Sequence, residues 1–176
     1  TLYTHPEYAA YQNDILVEEF ARLRGVSVSE ARSAVGEARS RITARTGKVT
    51  SLGNAMAELG IDIPTSVAWR TRLIRPSEWL SPDQRLRSAL SALAERFALA
   101  VVTNNPRAVG EESLRALGVR ESFRLVVGLD DTLVSKPARE PFEYAARRLG
   151  TQASDCVSIG DRYDVDLAVP LELGMG

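Results

Sequence analysis

Beyond Phe97 the chain alternates short, valine-rich apolar runs with longer stretches of helical period, and this alternation restricts the fold more than anything else in the sequence. Residues 98–103, 125–128 and 156–159 are the three runs, each short and apolar enough for a buried parallel strand. After the first, Asn105-Pro106 caps a helix that reaches Gly118. After the second, a loop leads to Pro137 and a helix that stops at Gly150. The third is followed by the acidic stretch 161–166 and then 167–173. Parallel strands need a crossover of a dozen or more residues between them, usually a helix. The predicted fold class is therefore α/β, with a Rossmann-like parallel sheet as its core.

The first half follows different rules. From residue 7 to about 97 the pattern is almost wholly helical. Residues 7–24 place Ile15, Leu16, Phe20 and Leu23 at helical spacing and stop at Gly25. Ser27 with Glu30 forms a capping box ahead of a helix over 31–45. Residues 52–59 form a shorter helix closed by Gly60, and 67–73 are weakly helical, with Trp69 and Trp79 expected inside. Ser81-Pro82 reads as an N-cap and first helical position, opening a helix through Arg96. The expected organisation is a helical insert over 5–79 in an α/β core made of 1–4 and 80–176.

Composition narrows the function. In 176 residues, 22 basic and 23 acidic side chains give a formal net charge of −1, which argues against a strongly basic nucleic-acid binder. No run of eighteen apolar residues is present to span a bilayer. The single cysteine, Cys156, excludes an internal disulfide and fits a reducing cytoplasm; it opens the third run and is expected in the core. Only Lys48 and Lys136 among the basic residues are lysines.

In open parallel sheets, ligands bind beyond the carboxyl ends of the strands. Those ends carry Thr103-Asn104-Asn105, Ser135-Lys136-Pro137 and the stretch from Gly160-Asp161 to Asp166. Singly, each has a plainer role: Thr103 ends a strand, Asn105 caps a helix, Lys136 is a solvated loop lysine, and Asp161, Asp164 and Asp166 favour a helix N-terminus. Jointly, a hydroxyl, an ammonium and carboxylates on one rim suit a phosphoryl group and a magnesium ion.

VVTNN, SKPAREPFEYAARRLG and SIGDRYDVDLAVPLELGMG resemble the second, third and fourth motifs of the haloacid dehalogenase (HAD) superfamily, in order. Thr1-Leu2-Tyr3 resembles the tail of that superfamily's first motif, Asp-x-Asp-x-Thr-Leu, which a helical cap ordinarily follows. TGKVTSLGNAMAELGID and LSPDQRLRSAL are similar to the pyrimidine 5′-nucleotidase-like branch. The resemblance implies a phosphoaspartyl intermediate, with a second aspartate two residues later as acid and base. It implies that Thr103 binds phosphoryl oxygens and that Lys136 offsets charge. Asp161 would coordinate Mg²⁺ directly and Asp166 would hold a ligating water, with Asp164 as the alternative. Gly160-Asp161 points to a magnesium phosphatase rather than a dehalogenase.

The two catalytic aspartates of the first motif would precede Thr1, so the chain is expected to be a fragment whose nucleophile-bearing strand is missing. Gly128-Leu129-Asp130-Asp131-Thr132-Leu133 mimics that motif but is expected to be the loop leading to Lys136, with Asp130 and Asp131 in solvent. The substrate is expected to be a small phosphorylated metabolite, a nucleoside monophosphate first and phosphoglycolate or a sugar phosphate next. Asn104, Tyr3, Lys48 and Arg75 are the substrate-contact candidates, with Thr46 and Thr50 as further cap-side groups. His5 is expected to be structural. Alternatives are a 2-haloacid dehalogenase and a non-catalytic binding remnant. A monomer or homodimer, with neither nucleic acid nor membrane as partner, completes the expectation.

Overall fold

The computed structural model describes residues 2–47 and 50–176, and these divide into two compact units. One is His5–Ile74; the other joins the residues before His5 to Arg75–Gly176.

The first unit is four helices whose ends are written in local chemistry. Helix α1 (Pro6–Arg24) starts at His5, whose Nδ1 accepts the Tyr8 N–H at 3.2 Å, and ends at Gly25, where φ is 66°. That left-handed conformation costs little only for glycine. Helix α2 (Val28–Thr46) carries the expected capping box: Ser27 Oγ accepts from Glu30 N–H at 3.2 Å, and Ser27 N–H donates to Glu30 Oε2 at 2.8 Å. Ser51 caps α3 (Leu52–Glu58) and Asp62 caps α4 (Ile63–Leu73). Asp62 starts α4 four residues before the weak apolar pattern becomes visible in the sequence.

Phe20, Val35, Ala38, Met56 and Trp69 share one apolar cluster that joins all four helices. Polar ties run from α1 to α4. Tyr11 Oη donates to the Leu73 carbonyl at 2.8 Å. The nearly buried Glu19 carboxylate accepts from Arg22 Nε and Nη2, at 2.9 and 2.6 Å, and from Arg72 Nη2 at 2.6 Å. The Arg22 bonds, with help from Arg72, hold the Glu19 carboxyl below its usual pKa despite the opposing effect of burial.

The second unit is the α/β core. Helix α5 (Gln84–Ala94) is capped by Asp83, whose carboxylate accepts the N–H groups of Arg85 and Leu86 at 2.9 and 3.0 Å. Ser81-Pro82 therefore lies just outside the helix, and Asp83 takes the cap because its carboxylate reaches two amides. Strand β1 (Leu99–Val102) pairs in parallel with β2 (Phe123–Val127), in the register Ala100↔Leu125, Val101↔Val126, Val102↔Val127. Between them runs α6 (Arg107–Ala116), which packs on β2. A short helix α7 (Leu129–Thr132) follows β2, and α8 (Glu140–Leu149) packs on both strands through its buried Phe142, Ala145 and Ala146. Trp69 is buried as expected, whereas Trp79 is half-buried, after a 3₁₀ turn (Pro76–Glu78) that packs on α6.

The third apolar run departs from expectation. Residues 156–159 are extended but join no sheet among the described residues, and β1 is half-buried along its length. Ser158 N–H donates to the Gly176 carbonyl and Gly176 N–H to the Cys156 carbonyl, both at 2.9 Å, which is a single parallel bridge on one side. On the other side no strand lies alongside among the described residues. Val157 and Ile159 are accordingly 73% and 82% exposed. Cys156 is half-buried rather than core, and partial burial with the neighbouring Asp155 pushes its thiol pKa up. The final helix, α9 (Ala168–Glu172), follows a π-helical turn at Tyr163–Leu167.

Two outcomes test this packing. Phe20→Ala leaves a cavity at the centre of the four-helix cluster and should cost about 3–5 kcal/mol in urea unfolding. Because the Glu19 carboxyl is lowered in the fold, the stability it contributes is present above the ordinary glutamate range and is lost as pH falls from that range through the lower folded value. Melting curves of Glu19→Gln should therefore show a shallower acid decline than the parent, and parallel declines would remove Glu19 from this account.

Candidate active site

Three backbone segments meet at the carboxyl end of the two strands. Thr103 continues β1 by donating its N–H to the Val127 carbonyl at 2.9 Å. Its Oγ1 accepts the Asn105 N–H at 3.1 Å, so the hydroxyl proton remains available for an anion. Asn105 is thus bound in a turn and does not cap α6, whose cap position is Pro106.

Asn104 reaches across to the third-motif loop. Its Oδ1 accepts the Lys136 N–H at 2.7 Å and its Nδ2 donates to the Lys136 carbonyl at 3.2 Å. Expected as a substrate contact, it is seen gripping the backbone of the key lysine. The side chain of Lys136 then turns to Asp166, with Nζ donating to Oδ1 at 2.6 Å. Both side chains are largely buried, at 13% and 9% exposure, so this pair is far better shielded than a surface salt bridge.

Asp166 is placed by its own segment. Its N–H donates to the Arg162 carbonyl at 2.8 Å, its carbonyl accepts from Ser158 Oγ at 2.8 Å, and Arg162 Nε lies 3.8 Å from Oδ2. A Cβ on Gly160 would stand 2.2 Å from the Asp166 Cβ, so only glycine lets the two backbones approach this closely. Asp161 and Asp164 are both exposed, and Asp166 alone of the three is buried against Lys136.

The remaining expected residues are dispersed. Tyr3 lies in the core unit, half-buried and hydrogen-bonded to Ser113. Burial pushes the Tyr3 pKa up, partly offset by that bond. Arg75, expected on the cap side, is exposed and opens the core segment Arg75–Gly176. Lys48 lies outside the described residues. Thr46 donates to the Ile42 carbonyl at 2.8 Å, and the buried Thr50 Oγ1 makes no hydrogen bond among the described residues. Arg70, unmarked in the sequence, is half-buried, and burial pushes its pKa down to about 10.

At Asp131 the structure departs from the expectation of a solvated loop residue. The Asp131 side chain is 2% exposed: its Oδ2 accepts from Arg107 Nε at 3.1 Å and from Gly128 N–H at 2.8 Å, and its Oδ1 pairs with Arg107 Nη2. Asp130 remains exposed, yet its Oδ1 accepts the Arg107 backbone N–H at 2.6 Å. The available signal was a capping acid three residues after Gly128.

Among the described residues no three His, Cys, Asp or Glu side chains gather as a metal-binding group. Asp161 and Asp166 nonetheless suit a hard cation that takes one or two carboxylates and completes its shell with waters and a phosphate. Neither imidazole nor thiolate competes at this rim.

Known proteins resemble the chain in both sequence and shape. It is 39% identical to the phosphoglycolate phosphatase of Colwellia psychrerythraea over 45% of its own length, and 30% identical to the N-acylneuraminate-9-phosphatase of Homo sapiens over 51%. These matches span only 35% and 36% of the two relatives' lengths. The HAD phosphatase of Thermococcus onnurineus superposes on 95% of the chain with a TM-score of 0.62 at 23% identity, covering 75% of that protein. The HAD-hydrolase YfnB of Bacillus subtilis, solved with magnesium, superposes on 96% with a TM-score of 0.56 at 19% identity, covering 80% of that protein. At such identities these structures speak for the fold alone, an α/β HAD core with a helical cap. The family's own pattern runs from residue 9 to residue 174, and the chain is a member of the haloacid dehalogenase-like hydrolase family.

Proposed function

We propose that this protein is a magnesium-dependent phosphomonoesterase acting on a small phosphorylated metabolite. The observation that carries the reading is the convergence of Thr103, Lys136 and Asp166, brought from three separate sequence segments to one sheet end by the Asn104–Lys136 and Lys136–Asp166 bonds. Phosphoryl transfer asks chiefly for positioning and for stabilisation of charge on the transferring group. Thr103 suits the first task, since its oxygen is fixed by the Asn105 N–H and its hydroxyl proton is left to donate. Lys136 suits the second: an ammonium held on a shielded carboxylate loses little freedom when a phosphate arrives. Asp161 and Asp166 would hold Mg²⁺, which when bound neutralises phosphoryl oxygens. The covalent step calls for an aspartate nucleophile in the family's first motif, which these 176 residues do not contain.

The relatives' names shift the order of substrates. Phosphoglycolate and phosphorylated sugars come first, because those are the substrate types named for the similar phosphatases, and a nucleoside monophosphate comes second. A shared HAD fold by itself decides no substrate.

A phosphate-ester panel assayed on the complete gene product should show hydrolysis that EDTA abolishes and Mg²⁺ restores. Lys136→Ala should lower kcat/KM by about 100-fold or more. Turnover of 2-haloacids without metal, or activity indifferent to both Lys136→Ala and EDTA, would overturn the reading. Gly160→Ala should act like a lesion of Asp166, since the added methyl collides with that residue and not with the solvent.

A further inference from the structure

The loop that delivers Lys136 is tied down at a second place, away from the Asn104 grip. Asp131 and Asp130 together take three N–H groups of Arg107: Nε and Nη2 go to Asp131 and the backbone amide goes to Asp130. Leu129 N–H donates to the Asn105 carbonyl at 2.9 Å, which adds a backbone tie between the same two loops. A Cβ on Gly128 would lie 2.1 Å from the Arg107 nitrogen, so this closeness depends on glycine. From Asp131 only five residues remain to Lys136, and Thr132 Oγ1 braces them by donating to the Val134 carbonyl at 3.0 Å.

Capping α7 does not require this arrangement. One carboxylate oxygen on the Gly128 amide completes the cap, yet Asp131 also bonds a side chain from another helix in a two-pronged contact. Arg107 is itself an odd choice, since it begins α6, where the helix dipole disfavours a cation. The acidic pair offsets that cost and fixes where the β1 and β2 loops lie relative to each other.

We infer that Asp131 and Arg107 are positioning residues for Lys136. They lock the start of segment 128–136 to the loop after β1, as Asn104 locks its end, and so set the lysine ammonium on Asp166. Their value in catalysis rests on the phosphatase reading; the positioning itself does not.

The chain's two lysines make the inference measurable, because Lys48 serves as an internal reference for Lys136 in competitive labelling with a trace of acetic anhydride, read by peptide mass spectrometry. In the parent, Lys136 should be acetylated slowly, as a side chain only 13% exposed and held on Asp166 at 2.6 Å requires, with Lys48 serving only to normalise between variants. In Asp131→Ala the Lys136-to-Lys48 ratio should rise about fivefold, towards that of Asp166→Asn, as the lysine leaves its shielded place on the carboxylate and becomes accessible to the reagent. In Asp131→Asn, which keeps the Gly128 bond but sets an amide N–H against Arg107 Nη2, the ratio should rise nearly as far as in Asp131→Ala, separating the Arg107 tie from the α7 cap. Arg120→Ala, which breaks the core's Glu111 ion pair away from this loop, should leave the ratio as in the parent. An unchanged ratio in folded Asp131→Ala, or an equal rise in Arg120→Ala, would refute the inference. Should Asp131→Ala not fold, Arg107→Ala gives the same reading from a half-exposed side chain. A shifted ratio in a protein inert towards phosphate esters would retain the positioning and discard the phosphatase; hydrolysis with an unshifted ratio would do the reverse.

Discussion

The pairing of Val102 with Val127 is the constraint on which the rest of the core depends. In parallel strands, the register decides which two chain exits emerge side by side. Here it brings out Thr103 beside Gly128, and Thr103 N–H prolongs the ladder by one bond to Val127. Had β1 slipped by one residue, its side chains would exchange faces. Asn104 would then point away from the Lys136 loop, and the contacts that follow from it would not form.

From that starting point the site is assembled chiefly by hydrogen bonds to backbone groups. Asn104 grips both polar groups of the Lys136 peptide, Asp130 and Asp131 take amides from Arg107 and Gly128, and the Asp166 peptide is fixed by Arg162 and Ser158. Backbone groups cannot rotate away as side chains do, so the lysine and the carboxylate reach each other already ordered. Gly128 and Gly160 supply the space, each at a point where a methyl group would overlap its neighbour.

Much of this was legible in the sequence, for reasons that differ by element. The capping box at Ser27 and Glu30 and the helix stops at Gly25 and Gly150 are local events, and local residues specify them. That the segments of Thr103, Lys136 and Asp166 meet was legible because each follows an apolar run, and such runs in a parallel sheet emerge at one end. The third run was misjudged because an apolar sequence states a tendency to be covered, whereas coverage depends on a neighbour elsewhere. The burial of Asp131 was hidden for the same reason: its partner Arg107 stands 24 residues earlier, and nothing in Leu-Asp-Asp-Thr marks one aspartate as interior. Asn104 reads as a ligand-facing side chain until the Lys136 backbone is placed beside it.

The bridge at Gly176 occupies one side of residues 156–159 and leaves the other facing water, flanked by the uncovered side chains of Val157 and Ile159. Sheet proteins commonly shield such a border with lysine, proline or a bulge, and between Cys156 and Ile159 this chain has none of these. An extended backbone laid along that side would add hydrogen bonds to the segment and cover both aliphatic side chains in the same step, so backbone pairing and apolar burial are coupled at these four residues.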